Sequence, residues 1–156
     1  VNRIIVTKAL IGICAVVFAQ DASAESGPFV GRWQWNRAES KVPPGQPAPK
    51  EVTAEILRMD GTHLSWSLTV LADDGAKSIE SFEALTNGEF HPVNIDTMAA
   101  FSLKGNAIQA TFKGPLGETD TLTCNLSADH RKMTCNGMVD NGDGRTTSYV
   151  DVYDRQ

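Results

Sequence analysis

Period-two alternation broken by tight turns is the feature that most constrains this chain. Val52, Ala54 and Ile56 alternate with Thr53, Glu55 and Leu57, and Asp60-Gly61 ends the run. In the next segment Leu64, Trp66, Leu68 and Val70 fall on one side, with His63, Ser65, Ser67 and Thr69 on the other. Successive side chains of a strand point to opposite faces, so this is the pattern of a half-buried strand. Asp73-Asp74-Gly75 turns it back, and Ile79 to Leu85 follows. Asn87-Gly88 reads as a two-residue hairpin turn, since both residues tolerate the left-handed backbone such turns require. Glu89 to Val93 is short and contains Pro92, which suits an edge or a bend. Met98 to Lys104 and Ala107 to Lys113 pair across Gly105-Asn106. Gly114-Pro115-Leu116-Gly117 leads to Thr119–Leu126 and Met133–Val139, and Asp140 to Gly144 turns into a last strand, Thr146 to Tyr153. No helix longer than one turn is expected. Roughly eight to ten sequential antiparallel strands must close or stack to hide their edges, and an up-and-down β-barrel is the simplest all-β solution.

The first 24 residues read as a cleaved signal peptide. Arg3 and Lys8 precede an apolar run from Ala9 to Ala19, and Ala22-Ser23-Ala24 suits a signal peptidase. The run is shorter than the roughly 20 apolar residues a membrane-crossing helix needs. Cys14 lies inside it behind Ile13, not the small residue of a lipoprotein signal, and leaves with the leader. The initial Val is what an alternative bacterial start codon gives when translated literally. The expectation is a periplasmic or secreted bacterial protein, not membrane-spanning, with residues 25–156 forming a single domain.

Without the leader the chain carries 12 basic against 18 acidic side chains. A domain this acidic repels phosphate backbones, and no basic stripe is interleaved with aromatics, so nucleic acid is not an expected partner. Cys124 and Cys135 remain. In an oxidising compartment an even pair reads as one disulfide. A hairpin with Ser127 opposite Lys132 sets the two cysteines directly opposite, within bridging distance. A redox or metal role lacks the C-x-x-C spacing.

Gly31-Arg32-Trp33 opens the first strand, Gly31 to Trp35, and resembles the G-x-W signature of lipocalin and avidin-like barrels. That likeness implies that Trp33 sits at the closed end of the barrel, packed against a basic residue from near the chain's end. Arg155 is placed in sequence to be that residue, through a cation–π contact. The chain also resembles a group of small exported bacterial proteins without an assigned function. The shared residues are the opening Gly31 to Asn36, then Ser40-Lys41 and a proline-rich loop to Pro49, and the ending Val152-Tyr153-Asp154-Arg155-Gln156. The likeness implies a small exported barrel and attaches no activity to it. Thr119-Asp120-Thr121 only echoes the lipocalin T-D-Y motif, and no helix follows the last strand. A ligand-binding role drawn from the lipocalins is therefore an analogy of fold.

Motifs for chemistry are missing. No G-x-S-x-G elbow accompanies His63, His91 and His130, and no H-x-x-x-H or H-E-x-x-H arrangement offers a metal site. Glu80 and Glu83 stand an odd distance apart on a strand and face opposite ways, so they make no glycosidase pair. Asp140, Asn141 and Asp143 lack calcium-loop spacing and suit a turn. No catalytic residue, cofactor or metal is assigned. What remains is aromatic content: Trp33, Trp35, Trp66, Phe82, Phe101 and Phe112 either fill a core or line a cavity. Trp66 and Phe82 are the expected wall residues, with His63 or His91 as polar contacts if the local facing is reversed. Three functions stay open: binding of a small apolar or amphipathic ligand; binding of a protein, such as an envelope hydrolase, through the Pro43–Pro49 loop or the His130 tip; and catalysis in the barrel mouth.

Overall fold

The computed structural model describes residues 27–43, 45 and 48–156. The expected signal peptide, including Cys14, lies outside these residues, as do Pro44, Gln46 and Pro47 of the proline-rich loop. The described chain forms ten antiparallel strands: β1 Gly31–Trp35, β2 Glu51–Met59, β3 His63–Leu71, β4 Lys77–Leu85, β5 His91–Pro92, β6 Met98–Lys104, β7 Ala107–Lys113, β8 Thr119–Leu126, β9 Lys132–Asp140 and β10 Thr146–Arg155. They make one sheet ordered β4-β3-β2-β1-β10-β9-β8-β7-β6-β5. The expected all-β, up-and-down barrel is the observed fold.

First and last strands meet in the middle of this order, with Trp33 opposite Arg155 and Trp35 opposite Tyr153. Directly paired residues share a face, so these four side chains point the same way. Trp33 is fully buried, and on its other side stands the small Ala54. Arg155 lies 4.2 Å from the Trp33 ring centre. Its guanidinium donates to the backbone carbonyls of His130 (2.7 Å), Val30 (2.9 Å) and Pro28. Trp33 Nε1 donates to the Phe29 carbonyl at 2.8 Å. With Met59 and Leu64 also buried here, this end is a sealed base. Gly31 is required in it. Its φ is +141°, and a Cβ would stand 2.8 Å from Arg155 Nη1.

The segment after β1 straps the outside of β10. Asn36 caps a single turn, accepting from the Glu39 amide at 3.2 Å, and its side chain donates to Asp154 at 2.7 Å. Ser40 Oγ accepts from the Val152 amide at 2.9 Å, and Lys41 bridges to Val150. Val152 is buried beneath this strap although it points away from the barrel interior.

On the far side the structure departs from the sequence reading. Asn87-Gly88 makes no hairpin, because β4 and β5 are the two edges of the sheet. Instead Gly88 donates its amide to the Phe101 carbonyl at 2.8 Å, Asn87 bridges to Ser102, and the Asn87 side chain accepts from the Glu89 amide at 3.0 Å. The left-handed Gly88, φ +79°, serves this passage beneath the barrel rather than a tight turn. The seam is therefore laced to β6 only beyond the end of β4. The expected Cys124–Cys135 disulfide is present, with Cα atoms 3.9 Å apart in directly paired positions.

Candidate ligand cavity

A cavity of about 600 Å³ occupies the interior away from the sealed base. Its outlet is the unlaced part of the seam, between Ile79–Phe82 on β4 and Val93, Asn94 and Thr97 after β5. Where backbone pairing stops, aromatic rings take over. Trp66 on β3 lies 4.9 Å from Phe82 on β4, and Phe82 lies 5.5 Å from Phe101 on β6, centroid to centroid. Phe101 meets Phe112 on β7 edge-on at 5.6 Å. Tilted and T-shaped contacts at these distances are favourable for aromatic pairs. The four rings hold the seam together and give the cavity one apolar wall.

The opposite wall is polar and comes from β10 and β8. Arg155 and Tyr153 face inward with Trp33 and Trp35, so the period of two carries Asp151 and Tyr149 to the same face. All three of Tyr149, Asp151 and Tyr153 line the cavity, together with Asp120. Tyr149 stands opposite Gly137 on β9, and its ring lies where any larger side chain would place a Cβ. That close approach lets Tyr149 reach over β9 and donate to both Asp120 oxygens, at 2.9 and 3.0 Å. Asp151 accepts from Trp35 Nε1 at 2.8 Å.

Burial raises the pKa of both carboxylates. For Asp120 the nearby Asp151 charge adds to the rise and the Tyr149 hydrogen bond opposes it. For Asp151 the Trp35 hydrogen bond is the opposing influence. Burial, then the neighbouring carboxylates, push both tyrosines well above the usual phenol range, so they stay neutral hydroxyls. Tyr153 is mostly enclosed by the barrel, and its hydroxyl is not a buried orphan, because the side chain opens on the cavity. Its remaining accessible surface faces the cavity, as does part of Glu80 from β4.

Trp66 and Phe82 thus stand together in the cavity wall. The two histidines named with them do not. His63 is on the outer face, with Nδ1 2.8 Å from Thr62 Oγ1 and 3.9 Å from Asp60. His91 on β5 pairs with Ala99 on β6 and faces inward, but it does not line the cavity, and its Nε2 is buried without a partner among the described residues. Asp60, ahead of His63, has its pKa held far below the usual range by hydrogen bonds from Thr62 and His63 and belongs to a turn. No group of His, Cys, Asp and Glu among the described residues is arranged to hold a metal, and no described helix is long and apolar enough to cross a membrane.

No protein-family model and no curated protein matches the chain. Solved structures do. The wild-type fluorescent protein UnaG aligns over 82% of this chain and 97% of its own, with a TM-score of 0.54 at 17% identity. A variant of the same protein gives a TM-score of 0.56 at 18% identity, covering 83% and 96%. A variant of REP1-NXSQ, described as a fatty acid transporter, covers 84% of this chain and all of its own at 18% identity and a TM-score of 0.50. At such identities the likeness is one of fold, an antiparallel β-barrel.

Proposed function

We propose that this chain is an exported protein that binds one small amphipathic molecule inside its barrel. The observation that carries the reading is the cavity of about 600 Å³, with an aromatic wall facing a polar one. Natural small-molecule sites occupy roughly 300–1,000 Å³ and combine apolar lining with a few convergent polar groups. A solid core would have no reason to set two half-buried carboxylates, Asp120 and Asp151, on one inner wall. Structures that share the fold include a protein described as a fatty acid transporter, which supports ligand binding as a use of such a barrel. Export is supported by the leader-like first 24 residues and by the Cys124–Cys135 disulfide.

Native mass spectrometry of protein purified from its own cells tests the reading. The expected spectrum shows a mass above that of the polypeptide, which collapses to the polypeptide mass on denaturation. N-terminal sequencing of the same sample should begin at Glu25. A ligand-free spectrum, together with a crystal structure in which side chains fill the interior, overturns ligand binding. A retained N-terminus overturns export.

A further inference from the structure

We infer that the cavity selects an amphiphile with a cationic head, an ammonium or amidinium on an apolar body, and discriminates against a carboxylate head. This deepens the ligand-binding reading and rests on it. The described lining contains three carboxylates, Glu80, Asp120 and Asp151, and no Lys, Arg or His. The inward-facing cation of β10, Arg155, is spent at the sealed base, on Trp33 and three backbone carbonyls. No cationic side chain of the described lining compensates an anionic head.

Geometry gives the head group its place. Asp120 and Asp151 lie on the same wall, close enough for the charge of one to raise the pKa of the other. Tyr149 occupies Asp120 from one side, and Trp35 occupies one oxygen of Asp151. A carboxylate has about four acceptor sites on its two oxygens, so both side chains keep acceptor capacity. Tyr153 stands beside Asp151 on the same strand face with its hydroxyl oxygen free to accept. An ammonium has three donors and no acceptor. Two anionic acceptors and one neutral one therefore match it, whereas a carboxylate would meet two like charges. On the other side Trp66, Phe82 and Phe112 present ring surface to an apolar body. A cation also draws on ring faces nearby, which a carboxylate does not.

Titration calorimetry of the intact protein at neutral pH with decylammonium, decan-1-ol and decanoate, each below its micelle-forming concentration, tests this. The body is constant and only the head changes. The expected order is decylammonium first, then decan-1-ol, then decanoate, with about tenfold or more between the first and the last, because close charges in a partly enclosed site interact far more strongly than in water. In the Asp120→Asn/Asp151→Asn double variant, decylammonium should lose its lead over decan-1-ol, with both still binding. Asparagine keeps one acceptor oxygen for Tyr149 and one for Trp35. Decanoate binding as tightly as decylammonium overturns the head-group inference and leaves ligand binding standing. A lead that survives the double substitution overturns the placement of the head. Failure of all three amphiphiles to bind overturns both readings.

Discussion

One strand builds two very different regions. At its end, β10 sends Arg155 into the base, where three carbonyls and the Trp33 ring use the guanidinium and Trp33 Nε1 has its own carbonyl. Nearer its start, the same face of β10 sends Tyr153, Asp151 and Tyr149 into a void, where two half-buried carboxylates, Asp120 and Asp151, share one wall. Taking carboxylates even partly out of water costs free energy that their hydrogen bonds only partly return. Such costs concentrate where a protein does something other than hold itself together. The base accounts for stability, and the cavity wall accepts a cost in stability that a bound partner would relieve.

The largest test of this contrast is Trp33→Ala, expected to destabilise by about 3–5 kcal/mol, as large buried aromatics do when truncated. Urea denaturation measures it, and wild-type stability in the variant would erase the distinction between base and wall. Arg155→Met comes next, at about 2 kcal/mol, because it leaves carbonyls at the base without their charged donor. Arg155→Lys should fail to restore the loss, since an ammonium lacks the planar fork that spans several acceptors. Trp66→Ala should cost about 1–2 kcal/mol, less than Trp33→Ala, because Trp66 already borders empty space. Its effect belongs to binding: decylammonium affinity should fall at least about tenfold through lost apolar contact. A large loss of stability with unchanged binding would reverse the roles given to the two tryptophans.

The smallest effect comes from the wall carboxylates and has a defined sign. Burial raises the folded-state pKa of Asp151 above its ordinary value. The folded protein therefore holds that proton more tightly than the unfolded chain does. The resulting stabilisation is complete below the ordinary carboxylate pKa of about 3.9 and is lost as pH rises through the raised value. Asp151→Asn removes this dependence, so the variant's Tm should gain on the wild type's between pH 4 and pH 7. A difference in Tm that is the same at both pH values would show that the buried carboxylate carries no cost.

Much of the barrel is legible in the chain because period-two alternation and turn chemistry are local. The strands Met98–Lys104, Ala107–Lys113 and Thr119–Leu126, and the opposition of Cys124 to Cys135, follow from counting residues between turns. Asn87-Gly88 misleads for the converse reason. Its residues suit a hairpin, but which strand the chain meets next is decided by closure of the whole sheet, a non-local matter. The polar wall was within reach of the sequence. If Arg155 packs on Trp33 inside the barrel, then Tyr153, Asp151 and Tyr149 face inward by the same period. Likewise Cys124 carries Leu122 and Asp120 to its own face. Aromatic residues mark the cavity's apolar side, whereas acidic and tyrosine residues on a strand suit a solvated face equally well. That Gly137 clears the way for Tyr149 to reach Asp120 required the three-dimensional register.

The most direct test of an amphiphile held in this cavity uses its own fluorophore. Of the three tryptophans, Trp33 and Trp35 are buried in packed protein and Trp66 lines the void. Titration with 10-bromodecylammonium, whose terminal bromine quenches on contact, should quench the wild-type emission saturably. In Trp66→Phe the saturable quenching should vanish, while calorimetry still records decylammonium binding. Equal saturable quenching in both proteins, or none in the wild type, would contradict a ligand cavity walled by Trp66.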